Sequence, residues 1–221
     1  MRSLAARPAP LDFEPARTAL LVNDMQNAFC SPGGYLEKIG FSIAGAPPVV
    51  ARIVALRAAM HRAGMPVFLM QNGFSPDQRE APPDHPLWHK SNALRHMRAH
   101  PETQGRILTH GTWDYELVAE LQPQAGDVVL PKATDNGFAG TDLDAQLRAR
   151  GIRTLFLCGI SSNVGVESAV RAAYHLGYFC AMIADATMGA GPPFVQQATE
   201  FNVERFFGWV TQTDDVVGAL A

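Results

Sequence analysis

Apolar runs too short to be helices recur along the chain, and stretches of helical spacing lie between them. Thr18–Asn23 (TALLVN), Pro66–Gln71 (PVFLMQ), Val128–Pro131, Thr154–Gly159 and Tyr178–Ala184 read as strands buried on both faces, and Gly208–Thr211 offers a short sixth. Val49–Ala63 carries apolar residues at helical spacing and is followed by Gly64, the residue type expected just past a helix end. Asp142–Arg150 precedes Gly151 and Asn163–Leu176 precedes Gly177 in the same way. Tyr115–Leu121 and Phe194–Phe206 are further helical segments. Strands that alternate with helices predict βαβ crossovers and a parallel sheet covered on both faces. In such sheets ligands sit beyond the carboxyl ends of the strands, where the strand order reverses. Ser75–Pro86, rich in Pro, Asp and Glu, is expected to be a loop or lid.

Composition narrows the class. At 221 residues the chain is expected to form one domain, 1–221. Hydrophobic residues make up 47% and charged residues 18%, which supplies a core and argues against disorder. The net charge of −3 lacks the basic excess of a nucleic-acid binder. Cys30, Cys158 and Cys180 are too few and too scattered for a disulfide framework, which predicts a reducing, cytoplasmic setting. No apolar run is long enough to span a membrane, and the first ten residues hold no signal-peptide core.

Three strand ends carry the candidate chemistry. The first runs into Asn23-Asp24-Met25-Gln26-Asn27, the third ends in Pro131-Lys132, and the fourth leads into Gly159-Ile160-Ser161-Ser162-Asn163 and a helix holding Gly165. A lysine at the end of an apolar strand is costly unless a carboxylate is near, and Asp24 is the natural partner of Lys132. The pair is either a structural ion pair or a catalytic one. In the second case Asp24 is a general base or acid, and Lys132 holds it ionised and polarises the substrate.

The segments LLVNDMQNAF, LPKATDNGFAGTDL and GISSNVGVES resemble the three signature segments of the isochorismatase-like cysteine hydrolases. PGGYL, MQNG, HKSNAL, GTWDYELV and FNVERFFGWV bring the chain near the ureidoacrylate amidohydrolases, with biuret and triuret hydrolases as similar relatives. The resemblance implies an α/β fold of Rossmann-like, three-layer αβα type with a six-stranded, mostly parallel sheet. It implies an Asp–Lys–Cys triad, in which Asp24 and Lys132 match the first two members. It also implies a cis peptide at Ile160–Ser161, oxyanion donors at the Ser161 and Gly165 N–H groups, homo-oligomers and no cofactor. The third triad member belongs between Val164 and Val166, where this chain has Gly165. Gly165 implies either an inactivated form that binds substrate without turnover or a natural protein that needs no thiol. The amidohydrolase-like flanks favour the first. The second corresponds to vinyl-ether hydrolysis of the isochorismatase type, and a ureide-binding protein without catalysis is a third reading. Cys158, inside an apolar strand, is expected to pack rather than react.

The implied substrate is a small linear ureide. After Lys132 the ureidoacrylate enzymes carry an Arg and a Tyr, whereas this chain has Asp135 and Asn136, acceptors that suit a neutral, donor-rich ureide such as triuret or biuret. Asn72, Ser91, Asn92 and Gln104 are candidate ureide contacts because amides and hydroxyls donate and accept, although Ser91, Asn92 and Gln104 serve equally well as loop caps. Gln26 is expected to orient Asp24, and Phe29, Phe74 and Trp113 to wall the pocket. His85 with His89 and His96 with His100 have helical metal spacing, but Pro86 breaks the first pair's helix and no acidic third ligand is placed, so no metal is expected. The late FFGWV segment is a candidate oligomer contact.

Overall fold

A computed structural model describes residues 1–221. Its centre is a six-stranded sheet built from β3 (Thr18–Asn23), β4 (Val67–Asn72), β5 (Asp127–Lys132), β6 (Thr154–Ile160), β7 (Phe179–Met188) and β8 (Trp209–Thr211), in the order β5-β4-β3-β6-β7-β8. All six strands are parallel, where a mostly parallel sheet was expected. The chain fills the sheet outward from β3 to β5, then returns to the other side of β3 with β6. The order therefore reverses between β3 and β6, and the crevice lies beyond their carboxyl ends.

Alternation along each central strand divides the core in two. Ala19 and Leu21 of β3, Phe68 and Met70 of β4, and Leu155 and Leu157 of β6 face α6 (Leu143–Ala149) and α7 (Glu167–His175). Leu20 and Val22, Val67 and Leu69, and Phe156 and Cys158 face the opposite layer, where α3 (Ala46–Arg62) and α9 (Thr213–Leu220) pack. Each fully buried Leu or Phe here is worth ~1.5–3 kcal/mol, and Phe13 and Phe156 add an edge-to-face contact with centroids 5.2 Å apart.

Several elements escaped the sequence pattern. A hairpin of β1 (Arg2–Leu4) and β2 (Leu11–Phe13) opens the chain. The loop after it bonds the outer sheet edge through Arg7 N to Val210 O (2.8 Å) and Val210 N to Arg7 O (3.0 Å). Short helices α1 (Asn27–Cys30) and α2 (Tyr35–Lys38) follow β3. The loop after β4 ends in α4 (Pro86–Lys90) and α5 (Asn92–Ala99). Pro86 starts α4 instead of breaking it, and His85 Nδ1 caps that helix by accepting from Leu87 N (3.1 Å).

The helix expected over Tyr115–Leu121 is only a 3₁₀ turn, Ala119–Leu121. Gln26 bridges Leu117 in antiparallel fashion, and the Tyr115 carbonyl accepts from Gln26 and Gln71, so long-range bonds displace the helical ones. Asn163–Leu176 divides into a π-helical turn, Ser162–Val166, and α7. Phe194–Phe206 divides likewise into α8 (Pro193–Asn202) and a second π turn, Val203–Phe207. No helix is long and apolar enough to cross a membrane.

Gly159 marks the tightest contact at the reversal point. It lies opposite Asn23 at φ 112°, and a Cβ there would collide with the Asn23 backbone. Gly159→Ala is expected to cost well over ~1 kcal/mol, because the methyl adds a clash to an unfavourable φ. That lowers Tm by at least ~2–4 °C, measurable by calorimetry. An unchanged Tm would contradict the close approach.

Candidate active site

Four strand ends supply the crevice. Asp24 directly follows β3 and adopts φ 51°, the left-handed region that Asp tolerates better than most residues. Its N–H donates to Met70 O (3.0 Å), which fixes the turn against β4. Lys132 ends β5, and its Nζ donates to Asp24 Oδ2 at 2.8 Å, with both side chains almost wholly shielded from solvent. Burial pushes the Asp24 carboxyl up, to about 6, while the charge and hydrogen bond of Lys132 hold it back. Asp24 is therefore a base near neutral pH that reprotonates within reach of it.

The Lys132 ammonium has three acceptors within the chain. Besides Asp24, it donates to Thr134 O (3.0 Å) and Asp135 O (3.4 Å). An ammonium has three donors, and all three are engaged within the chain. Lys132 positions Asp24 and sets the charge of the site.

Position 165 completes the cluster. β6 ends at Ile160, the Ile160–Ser161 peptide is cis, and the π turn carries Gly165 to the floor of the crevice. A Cβ on Gly165 would lie 3.2 Å from Asp24 Oδ2, 3.5 Å from Asn23 Oδ1 and 3.6 Å from Asp135 O. Asn23 Oδ1 and Asp24 Oδ1 are buried without a hydrogen-bond partner, so acceptors converge on a point that this chain leaves without a side chain. Val164 N and Val166 N are both bonded to Ser161 O (3.2 Å). Asn163 ties the turn to the loop after β7, with Oδ1 accepting from Ala190 N (2.9 Å) and Nδ2 donating to Ala190 O (3.1 Å).

No cysteine substitutes at this point. Cys30, Cys158 and Cys180 are buried, and burial pushes all three thiols up, Cys30 and Cys180 to about 12. None lines the crevice.

The crevice has two adjoining compartments. The inner one, about 120 Å³, is lined by Asp24, Phe29, Ser161 and Gly165, with Asn72, Asn92, Asp135 and Val164 at its border. Those last four also line the outer compartment, about 180 Å³, together with Phe74, Ser91 and Lys90. The Asn72 side chain makes no hydrogen bond within the chain, and its buried Oδ1 has no partner, which leaves a carboxamide free at the junction. Ser91 both lines the outer compartment and caps α5, its Oγ accepting from Leu94 N (3.4 Å).

Other expected contacts lie elsewhere. Gln26 does not orient Asp24: its Nε2 donates to Asn72 O (2.9 Å) and Tyr115 O (2.8 Å), and its Oε1 accepts from Asn72 N (2.8 Å), locking the ends of β3 and β4 together. Asn136 Oδ1 accepts from Phe138 N (3.0 Å), an Asx-type turn outside both compartments. Gln104 is exposed after the 3₁₀ turn Pro101–Thr103, and Trp113, 50% exposed, walls neither compartment. His96 and His100 stack with centroids 4.3 Å apart, and no group of three or more His, Cys, Asp or Glu side chains is arranged to hold a metal.

Asn23 and Lys90 also reach the crevice, and neither was among the expected contacts. The signal for Asn23 was a lone polar residue closing an apolar strand. Lys90 offered only its place within HKSNAL.

Comparison with known proteins agrees with this architecture. A model of the isochorismatase domain matches residues 18–215. The chain is 50% identical over 220 residues to ureidoacrylate amidohydrolase RutB of Agrobacterium fabrum, a match covering 99% of this chain and 96% of the relative. It is 53% identical over 215 residues to ureidoacrylate amidohydrolase RutB of Pseudomonas syringae pv. syringae, covering 97% of this chain and 88% of that one. Among solved structures, a cysteine hydrolase from Pseudomonas syringae pv. phaseolicola superposes with a TM-score of 0.81 at 27% identity, over 100% of this chain and 97% of its own. N-carbamoylsarcosine amidase from Thermoplasma acidophilum superposes with a TM-score of 0.68 at 26% identity, over 90% of this chain and 97% of its own.

Proposed function

The chain belongs to the isochorismatase family, and from that premise we propose that its site is built for amide hydrolysis of a small linear ureide of the ureidoacrylate type. One observation carries this reading: the side-chain direction of position 165 ends 3.2 Å from a buried carboxylate that is itself held by Lys132. A thiol there would stand beside its base. In the mechanism such a site serves, Asp24 takes the thiol proton and the sulfur adds to the ureide carbonyl. The N–H groups of Ser161 and Gly165 receive the oxyanion. The C–N bond then breaks, Asp24 returns the proton to the departing nitrogen, and water releases the acyl group. Asn72 and Asn92, free to donate and accept, hold the ureide N–H and carbonyl groups.

With glycine at 165 the chain lacks the nucleophile, so it binds ureides without thiol-dependent turnover. The curated relatives act, by their names, on ureidoacrylate, and this shifts the substrate away from the neutral biuret or triuret that Asp135 and Asn136 had favoured. Asn136 faces neither compartment, which removes half of that argument.

A second reading is supported by the raised Asp24 carboxyl itself. A protonated Asp24 could deliver its proton to the alkene carbon of a vinyl ether, with no thiol required. The two readings require opposite protonation states, so pH separates them. In a Gly165→Cys variant, kcat/KM for ammonia release from ureidoacrylate should rise with pH through about 6, as Asp24 ionises and becomes a base. Turnover of isochorismate by the unmodified chain would fall through the same pH, as the acid is lost. Ammonia release that falls across this interval would refute Asp24 as the base.

A further inference from the structure

We infer that the outer compartment is an anion subsite in which Lys90 reads a carboxylate. The ligand is then a ureido acid, with its ureide carbonyl at position 165 and its acid group several bonds away. This inference rests on the amidohydrolase reading and adds to it the recognition of the second end of the substrate.

Lys90 is the last residue of α4 and lines the outer compartment beside Ser91 and Asn92. It is the one Lys or Arg among the residues lining the two compartments, and the three donors of Lys132 below them are already bound within the protein. Lys90 forms no ion pair and donates no hydrogen bond within the chain. The other acidic or basic side chains lining the compartments are Asp24, already paired with Lys132, and Asp135. Asp135 lines both compartments, and its charge is near enough to help raise the Asp24 carboxyl. An acid entering this crevice would meet Asp135 and the paired Asp24 and Lys132, and the one lining cation without a carboxylate partner is Lys90.

The walls fit the same division of labour. Phe74, Leu87, Leu108 and Val164 line the same compartment as Lys90 and the Asn72 and Asn92 amides, and this apolar surface suits a short hydrocarbon spacer between a ureide and an acid. Lys90 is exposed at the edge of the compartment, so its attraction is screened by salt. The segment after Lys132 has no arginine, and Lys90 supplies the missing positive charge from a different element.

The test is calorimetric binding to the unmodified full chain, which needs no turnover. The probes are 3-ureidopropionate, an anionic ureide, and butylurea, a neutral one of similar length. In Lys90→Met, affinity for 3-ureidopropionate should drop ~10-fold and lose its salt dependence, while butylurea stays within about twofold. Lys90→Arg should retain most of the anionic affinity. Equal losses for both probes, or none for 3-ureidopropionate while both ureides bind, would overturn the anion subsite and leave the amidohydrolase reading intact. If the unmodified chain binds no ureide, the amidohydrolase reading fails, and the subsite fails with it.

Discussion

Gly165→Cys is expected to switch on ammonia release from ureidoacrylate by at least ~10²–10⁴-fold over the chain as it stands. Either possible leaving group yields ammonia, directly or through decay of the carbamate, so a coupled ammonia assay reads both. The site is ready for the side chain. A Cβ at 165 stands 3.2 Å from Asp24 Oδ2, slightly tight, so the carboxylate must move by a few tenths of an ångström. Its other oxygen is unpartnered and gives it room to rotate about the Lys132 bond. The new sulfur then lies one bond further along, within reach of the base. The same variant with Asp24→Asn should lose the gain by ~10²–10⁴-fold, because the amide cannot accept the thiol proton. Titration with a thiol reagent would verify that the new cysteine is present and accessible. An accessible thiol with no ammonia from any ureide would sink the amidohydrolase reading.

Parts of this molecule can be read from its residues because burial leaves a pattern. β3 and β6 are apolar at nearly every position, since both of their faces are covered, and Gly64, Gly151 and Gly177 close the helices that cover them. The Asp24–Lys132 pair could be anticipated from charge alone, since a lysine closing an apolar strand requires a carboxylate. Position 165 could not. A glycine carries no chemistry, and only the resemblance of its flanks pointed to it. β1, β2 and β8 are three residues each, too short for a period to show.

Polar residues in loops misled for a related reason. Gln26, Asn136 and Gln104 have side chains suited to a ureide, but their directions are set by backbone groups distant in sequence or by the local turn. Gln26 is consumed by Asn72 and Tyr115, and Asn136 by its own turn. Lys90 shows the converse: only the fold brings it to the same compartment as Asn72 and Ala133, at the ends of β4 and β5.

Lys132→Met should be the most destabilising change in the site, by ~3–5 kcal/mol at pH 8, or a Tm lower by ~6–20 °C. The substitution keeps the volume of the stem but leaves the Asp24 carboxylate buried and alone. Its pH dependence identifies the cause. Burial already raises the folded carboxyl above its usual value, and loss of Lys132 raises it further, so the native state holds a proton that the unfolded chain has released. Stability of the variant must therefore fall as pH rises through the folded value and recover as pH drops toward 5 and Asp24 takes up its proton. The double variant Asp24→Asn with Lys132→Met removes the orphaned charge, and Asn suits the left-handed φ of 51° at this position. It should regain most of the lost stability, flatten the pH dependence and, combined with Gly165→Cys, still release no ammonia. A pair kept only for structure would show the same rescue but leave ammonia release intact in the triple variant. Denaturant melts at pH 5 and pH 8, alongside the ammonia assay, therefore separate a pair that merely holds the strand ends together from one that holds a base in place for a nucleophile at position 165.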